Sequence, residues 1–478
     1  MTKTKPTKKT IETANFQKKQ FFDFFKNQAV HYALDNHSKP YINDLSPGCE
    51  TCINGTWSCL FINTMCTRNC FYCPQDRTKK NESLPQTDKH IKFTSPKDYV
   101  NYLKKFHFKG IGISGGEPFL VFDRVIEYIK SIRDCLGSQH YIWIYTNGDL
   151  VTEDKLKRLK DAGLNEIRFD ISAADYNLKP ASLAAKYIHN IAVEIPVIPE
   201  DLDIVKSNLK KFEDIGVKYL NLHQLMMNSY NRAAFNKRNY TVTNTNIYRN
   251  DSPVIESELA ALDILKHALK IKSGLGVNYC SRCYKARFQG KAYRKRYASV
   301  CRDESESVTR TGYLMRCSIN GTPEELTHTR GVFNHRGKTK CRLTKNRDEA
   351  ILVFPSQCLE KVIADDPYKK IDITYLSPEI NPLVNNNKNE KYILEAGSEK
   401  YFFKKILTFQ FELTNRSSAI FFQKLFIEQK SIELAAKEVS SEYDVKTDQM
   451  QKISDDMKYF YNQFIDIEYL SKDMPDYT

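Results

Sequence analysis

Thirteen cysteines stand in a chain of 478 residues, and three of them fall in one short segment, MCTRNCFYCP, at Cys66, Cys70 and Cys73. Thiolates hold zinc or iron. A closed structural zinc site wants four ligands, usually supplied as two pairs, and this triplet is spaced differently. Three thiolates from one loop can instead bind three irons of a cubane [4Fe–4S] cluster and leave the fourth iron without a protein ligand. An open coordination position implies chemistry at the cluster rather than electron storage alone.

Two further pairs, Cys49 and Cys52 in PGCETC and Cys280 and Cys283 in NYCSRC, bracket the middle of the chain. If they meet in space, they would hold an auxiliary iron–sulfur cluster or a zinc ion. Scattered buried thiols are the plain alternative. Cys59 could replace one member, and Cys301, Cys317, Cys341 and Cys358 could form a further site, whereas Cys135 falls in a helical stretch and reads as core.

These residues need a scaffold, and the hydrophobic pattern supplies one. Six short apolar strands are expected at 57–63, 109–115, 141–147, 166–171, 192–198 and 219–225, with helix-period segments at 96–106, 123–135, 153–162 and 201–215 between them and a further one near 256–271. Strands alternating with helices indicate parallel βαβ units, and six in succession favour a partial (β/α)6 barrel. In a barrel the chemistry sits at the C-terminal strand ends. There the sequence places the cysteine triplet after strand one, Gly115, Gly116 and Glu117 after strand two, Asn147 at the end of strand three, and Asp170 and Ser172 at the end of strand four.

The Cys-x3-Cys-x2-Cys spacing, with Tyr72 before the third cysteine, resembles the radical S-adenosylmethionine (radical SAM) superfamily. ISGGEP resembles that family's GGEP segment, and YTNG, RFDIS and EIPVIP follow in the expected order. The resemblance spans about residues 48–225. It implies that the open iron is chelated by S-adenosyl-L-methionine, that Glu117 receives the cofactor's amino group, and that Asn147 contacts its ribose. It also implies that EIPVIP lies against adenine, with Tyr72, Gly115, Gly116, Asp170 and Ser172 as further cofactor-site residues. Reductive cleavage of the cofactor would then give a 5′-deoxyadenosyl radical that removes hydrogen from a substrate, the electron coming from a donor such as flavodoxin or ferredoxin.

The layout expected is a basic tail and helix at 1–45, the radical SAM barrel at 46–275, a basic cysteine-containing extension at 276–365, and an α+β domain at 366–478. No fold follows from the weak periodicity of the extension. In the last part, a strand pair in KYILEAGSEKYFFKK precedes two helices, the second with an apolar stripe from Met450 to Phe464. This resembles the winged-helix-like domains that bind leader peptides of ribosomally made, modified peptides. It implies a peptide substrate with a leader, and hydrogen abstraction leading to a crosslink, a thioether or an epimerised residue.

The formal net charge of +14 suits an acidic peptide or RNA, or a lysine-rich surface. An RNA-modifying radical enzyme is the alternative, with YKARFQGKAYRKR (284–296) and the basic N-terminal tail as its phosphate-binding surface. A glycyl-radical enzyme activase also fits the cofactor. No apolar run approaches membrane-spanning length, and the start MTKTKPTKKT lacks the apolar stretch of a secretory signal. A cytoplasmic enzyme is the expectation.

Overall fold

Along the strands of the first half of the chain, aliphatic and polar residues alternate, and that period of two sorts them onto opposite faces of one sheet. The computed structural model describes residues 8–35, 37–75, 84–87, 91–243, 252–334, 341–365, 370–380, 391–396, 399–413, 416–428, 430, 434–435, 437–439, 474 and 476–477. It contains two units: Met1–Gly290 with Ala396–Glu399 and Ser471–Thr478, and Lys291–Glu395 with Lys400–Leu470.

In the first unit seven strands run parallel, each beside its predecessor: β1 (Trp57–Asn63), β2 (Gly110–Gly115), β3 (Tyr141–Thr146), β4 (Glu166–Phe169), β5 (Asn190–Pro196), β6 (Tyr219–His223) and β7 (Gly276–Cys280). This corrects the count of six. GVNYC is only five residues long and carries Asn278 and Cys280 on one face, so its apolar signal is too short to read as a strand. It pairs with β6 from Gly276↔Tyr219 to Cys280↔His223, which places it inside the barrel sheet rather than in an extension starting at 276. Pro40–Ile42, from the expected tail, adds antiparallel to β7.

The connecting helices occupy Pro96–Lys105, Phe122–Leu136, Glu153–Asp161, Leu202–Asp214 and Ile255–Lys270. Local signals set their starts: Ser95 and Asp98 form a capping box ahead of Pro96, and Thr152 caps the third of these helices by accepting from Lys155 N–H. Ile111, Ile113, Ile142, Ile144, Ile167, Val193, Leu220, Leu222 and Val277 are all fully buried. The alternate positions Tyr145, Glu166, Arg168, Glu194, Asn221, His223 and Asn278 form the polar inner face. Among the described residues no helix is long and apolar enough to cross a membrane.

In the second unit the sheet order is Arg342–Lys345, Ala350–Phe354, Leu314–Gly321, Ile371–Ile380, Glu399–Leu413, Lys391–Ala396. Its strands lie on both sides of residue 365, so the boundary expected there falls within one sheet. Leu352, Phe354, Leu359, Val362, Ile373 and Phe421 share its core. Of the two closing helices, residues 434–435 and 437–439 are described, with Ala435 and Val439 in the same core. The Met450–Phe464 stripe, on which the winged-helix resemblance leaned, lies outside the described residues.

Candidate active site

The cysteine loop leaves β1 at Asn63 and is stitched to the end of β2. Gly116 N–H donates to Asn63 O at 3.0 Å and Glu117 N–H to Met65 O at 2.7 Å; Asn63 Nδ2 returns a bond to Glu117 O at 3.0 Å. The two backbones approach so closely that side chains are excluded. A Cβ on Gly115 would stand 2.2 Å from Asn63 O, one on Gly116 1.7 Å from Met65 O, and Gly115 has φ +129°. At the far end of the loop, Gln75 Nε2 donates to Gly115 O at 2.8 Å.

Glu117 is 1% exposed. Its carboxylate accepts from Thr146 Oγ1 at 2.9 Å, Asn147 N–H at 2.9 Å and Phe119 N–H at 3.1 Å. Burial pushes its pKa up, and these donors pull it only part of the way back. The carboxylate that the sequence assigned to the cofactor's amino group therefore has its hydrogen bonds inside the protein, where it ties the end of β2 to the end of β3.

Asn147 likewise turns toward the loop: its Nδ2 donates to Thr67 Oγ1 at 2.8 Å and lies 3.9 Å from Cys66 Sγ. Two residues on, Asp149 receives Arg68 Nε at 2.7 Å and Nη2 at 2.6 Å, and Thr67 Oγ1 at 2.9 Å. The hydrogen bonds from Arg68 hold its carboxyl below the usual range. Thr67, Arg68 and Asp149 escaped the sequence reading, since nothing local links residues 81 positions apart.

The end of β4 holds the other side of the loop. Tyr72 OH donates to Asp170 Oδ2 at 3.0 Å and lies 3.0 Å from Ser172 Oγ, which donates to Asp170 Oδ1 at 2.5 Å. Burial lifts the Asp170 carboxyl to about 6 and the Cys70 thiol to about 11. A metal at Cys70 must therefore displace a proton. Beside Cys70 a cavity of about 380 Å³ is lined by Arg68, Tyr72, Ser172, Ile198, Glu200 and Arg238, among others.

Among the described residues no three His, Cys, Asp or Glu side chains are placed to hold one metal ion. A cubane makes no such demand, because each of its three thiolates binds a separate iron. One clamped loop carrying three partly exposed cysteines beside a cavity fits a [4Fe–4S] cluster with a small-molecule ligand.

Deeper inside the barrel runs a charged network. Arg168 donates from Nε to Glu166 at 2.6 Å, from Nη1 to Glu194 at 2.7 Å and from Nη2 to Ser46 Oγ at 3.0 Å, with its guanidinium 4.8 Å from the Trp143 ring centroid. Glu194 also accepts from Asn221 Nδ2 at 2.9 Å and pairs with His223 Nε2 at 2.9 Å. Burial raises the Glu194 pKa, but Arg168 and His223 outweigh it and hold the carboxyl far below the usual range.

The second cysteine group adjoins this network. Cys49 Sγ lies 3.7 Å from Asn221 Oδ1, Gln289 Nε2 lies 3.3 Å from Cys52 Sγ, and Cys49, Cys52 and Cys280 together act on the buried ammonium of Lys39. Burial raises the Cys49 thiol and takes Cys52 up to about 12. Cys283 lies beside Lys18. Three of the four expected ligands thus share one surrounding, without the convergence that a single zinc ion requires.

Residues 60–227 match the Radical SAM superfamily. The chain is 28% identical over 295 residues to a putative glycyl-radical enzyme activating enzyme of Methanocaldococcus jannaschii, covering 59% of this chain and 76% of the relative. It is 31% identical to a probable GTP 3′,8-cyclase of the same organism, covering 35% of this chain and 48% of the relative. Among solved structures, Streptococcus suis SuiB bound to precursor peptide SuiA matches with 11% identity and a TM-score of 0.35, over 48% of this chain and 50% of that one. The chain thus spans about half the length of the cyclase and of the solved structure. Residues 60–227 are a radical SAM domain, and its cofactors are a [4Fe–4S] cluster and S-adenosyl-L-methionine.

Proposed function

We propose that this protein is a radical SAM enzyme that removes hydrogen from a ribosomally made peptide and leaves a crosslink, a thioether or an epimerised residue. The observation that carries the peptide substrate is the antiparallel sheet of the second unit. Among the described residues its edge strand Arg342–Lys345 pairs only with Ala350–Phe354, and Arg342, Thr344 and Lys345 are exposed. A leader peptide adds to such an edge through backbone hydrogen bonds, and the basic side chains suit an acidic leader. Tethered recognition raises the local concentration of the core peptide at the catalytic unit.

In this reading Cys66, Cys70 and Cys73 hold the cluster, and the cavity lined by Tyr72, Ser172 and Ile198 takes the adenosyl part of the cofactor. Together the two groups supply one-electron cleavage and hydrogen abstraction, with a flavodoxin or ferredoxin as electron source. The chain's own residues position. Gly115, Gly116 and Glu117 fix the start of the loop, Asn147 and Asp149 fix Thr67 and Arg68, and Asp170 with Ser172 fixes Tyr72.

A second reading, activation of a glycyl-radical enzyme, is favoured by the M. jannaschii relative, matched over 76% of its length. Both readings put the abstraction on a polypeptide. For the RNA alternative, Tyr284, Phe288 and Tyr293 are buried and present no rings for base stacking, which leaves that reading only its basic residues.

The test is anaerobic co-expression with any short open reading frame adjacent to the gene, followed by accurate mass analysis of that peptide. Loss of two hydrogens supports crosslinking, and deuterium uptake from heavy water at unchanged mass supports epimerisation. An untouched peptide in a preparation that makes 5′-deoxyadenosine overturns the maturase reading; a carbon-centred radical then detected on a co-purified partner protein supports the activase.

A further inference from the structure

We propose that Lys285 is the anchor for a carboxylate of the substrate, in a subsite formed with His223 and Glu194 on the inner face of the barrel. The proposal rests on reading this barrel as the place of catalysis, and not on which polypeptide enters it.

The three side chains form a chain of contacts. Lys285 Nζ donates to His223 Nδ1 at 2.6 Å, and His223 Nε2 meets Glu194 Oε1 at 2.9 Å. His223 ends β6 and Glu194 lies on β5, both on the inward-facing register. They keep 26% and 11% of their side-chain surface exposed, so solvent reaches both. The Glu194 charge also acts on Asp170, the residue that holds Tyr72 beside Cys70. Asp170 in turn accepts from Tyr72 OH at 3.0 Å, so two residues connect Glu194 to the cysteine loop.

The other cations of this hydrogen-bonded network are enclosed, Arg168 at 4% and Lys39 at 2% exposed, whereas Lys285 is half-buried. Glu166 and Glu194 share Arg168, and Lys39 donates to Asn278 Oδ1 at 2.7 Å and faces the thiols of Cys49, Cys52 and Cys280. The Lys285 ammonium makes its one side-chain hydrogen bond among the described residues to a histidine, with no carboxylate of those residues in ion-pair reach. An ammonium has three protons to donate, and at least two of these remain for a ligand. Four cations, Arg168, Lys39, Lys285 and the neighbouring Arg282, stand against two carboxylates, Glu166 and Glu194. The positive excess attracts an anion, and the anionic group of an unmodified peptide is a carboxylate. In a peptide substrate that group is an aspartate or glutamate side chain or the C-terminal carboxylate.

The experiment uses the purified, cluster-loaded protein and acetate as the probe. Lysines are labelled by reductive methylation with and without acetate at roughly 100 mM, a concentration suited to the millimolar affinity of one charge-assisted contact, and the rates at Lys285 and at exposed Lys210 are read by peptide mass mapping. Acetate is expected to slow labelling of Lys285 at least threefold and to leave Lys210 unchanged, with sodium chloride at equal ionic strength without effect. Equal rates at Lys285 with and without acetate, or equal protection by chloride or by inorganic phosphate, overturn the proposal. Formation of 5′-deoxyadenosine is measured on the same sample. A protein that makes deoxyadenosine but shows no protection loses the subsite alone, whereas one that shows protection without deoxyadenosine loses the catalytic reading alone.

Discussion

Replacing Arg168 by Met should strip the barrel of the one guanidinium shared by two inner carboxylates. The side chains of Arg168, Glu166 and Glu194 are 4%, 0% and 11% exposed, and the two ion pairs measure 2.6 and 2.7 Å. Removing one partner of a buried pair costs about 3–5 kcal/mol, because the remaining charge stays desolvated. With a urea dependence of about 2–3 kcal/mol per M, the midpoint should fall by about 1–2.5 M. The chain has two tryptophans, Trp57 and Trp143, which stack in the barrel with centroids 6.2 Å apart, so tryptophan fluorescence, excited where tyrosine does not absorb, follows this unit alone. The pH dependence gives a second readout. In the wild type, burial and the nearby Lys285 depress His223 to about 4 against the pull of Glu194. A depressed histidine contributes stability that is complete above the unfolded value near 6.5 and is lost as pH falls toward 4, a loss of about 3 kcal/mol. Glu194 is also depressed and adds to the loss further into acid. In the Met variant Glu194 is no longer held low by Arg168, its protonation relieves a buried charge, and the acid-side loss should shrink. A midpoint within about 0.3 M of wild type would mean that water already solvates these carboxylates, and an unchanged acid profile would refute their coupling to Arg168.

Gly116→Ala must open the contact with Met65 O from 1.7 Å to an ordinary approach of 3.0 Å or more; we expect a folded protein by circular dichroism that fails to acquire the roughly 400 nm absorbance of the cluster, and normal absorbance would show that the loop can retreat. Asp149→Ala leaves Arg68 and Thr67 without their shared acceptor, so iron release to a chelator should quicken on the order of tenfold at an unchanged melting temperature; an unchanged release rate would make this clamp ornamental. Anaerobic reconstitution should load about four irons per chain, removed by the triple Cys66, Cys70 and Cys73 to Ala variant; about eight, halved by Cys52→Ala, would instead assign a second cluster to the Cys49, Cys52 and Cys280 group.

What the sequence made legible was local. The cysteine triplet, the Gly115-Gly116-Glu117 turn and the alternating strands each occupy a few consecutive residues, so period and spacing expose them. What it concealed was assembled from single residues on separate strands. Arg168 on β4, Glu194 on β5, Asn221 and His223 on β6 and Asn278 on β7 look like ordinary polar positions of half-buried strands, and only the closing of the sheet turns them into one network. The same cause hid the bidentate Arg68–Asp149 pair, which spans 81 positions. Glu117 illustrates a different limit. Its place after a glycine pair was legible, but whether its carboxylate faces a ligand or its own chain depends on the turn of Thr146 and Asn147 beneath it. The seventh strand was missed because three of the five positions of Gly276–Cys280, those of Gly276, Asn278 and Cys280, lie on the inner face and leave only Val277 and Tyr279 as an apolar signal.

The two polar layers of the barrel meet at Asp170, and that meeting has a consequence for catalysis. The upper layer, at the strand ends, holds the cysteine loop through hydrogen bonds from the glycine turn after β2, Asn147 after β3 and Asp170 after β4, together with the packing of Phe71 and Tyr72 on the cluster around Phe235. The lower layer carries the ion pairs of Arg168 and the Lys285–His223–Glu194 chain. Asp170 bonds upward to Tyr72 and feels Glu194 below. Lys285 reaches Glu194 only through His223, so the carboxylate proposed to bind at Lys285 would act on Asp170 through that chain of contacts. If binding shifts the chain, a substrate lacking the anchoring carboxylate should lose turnover as well as affinity.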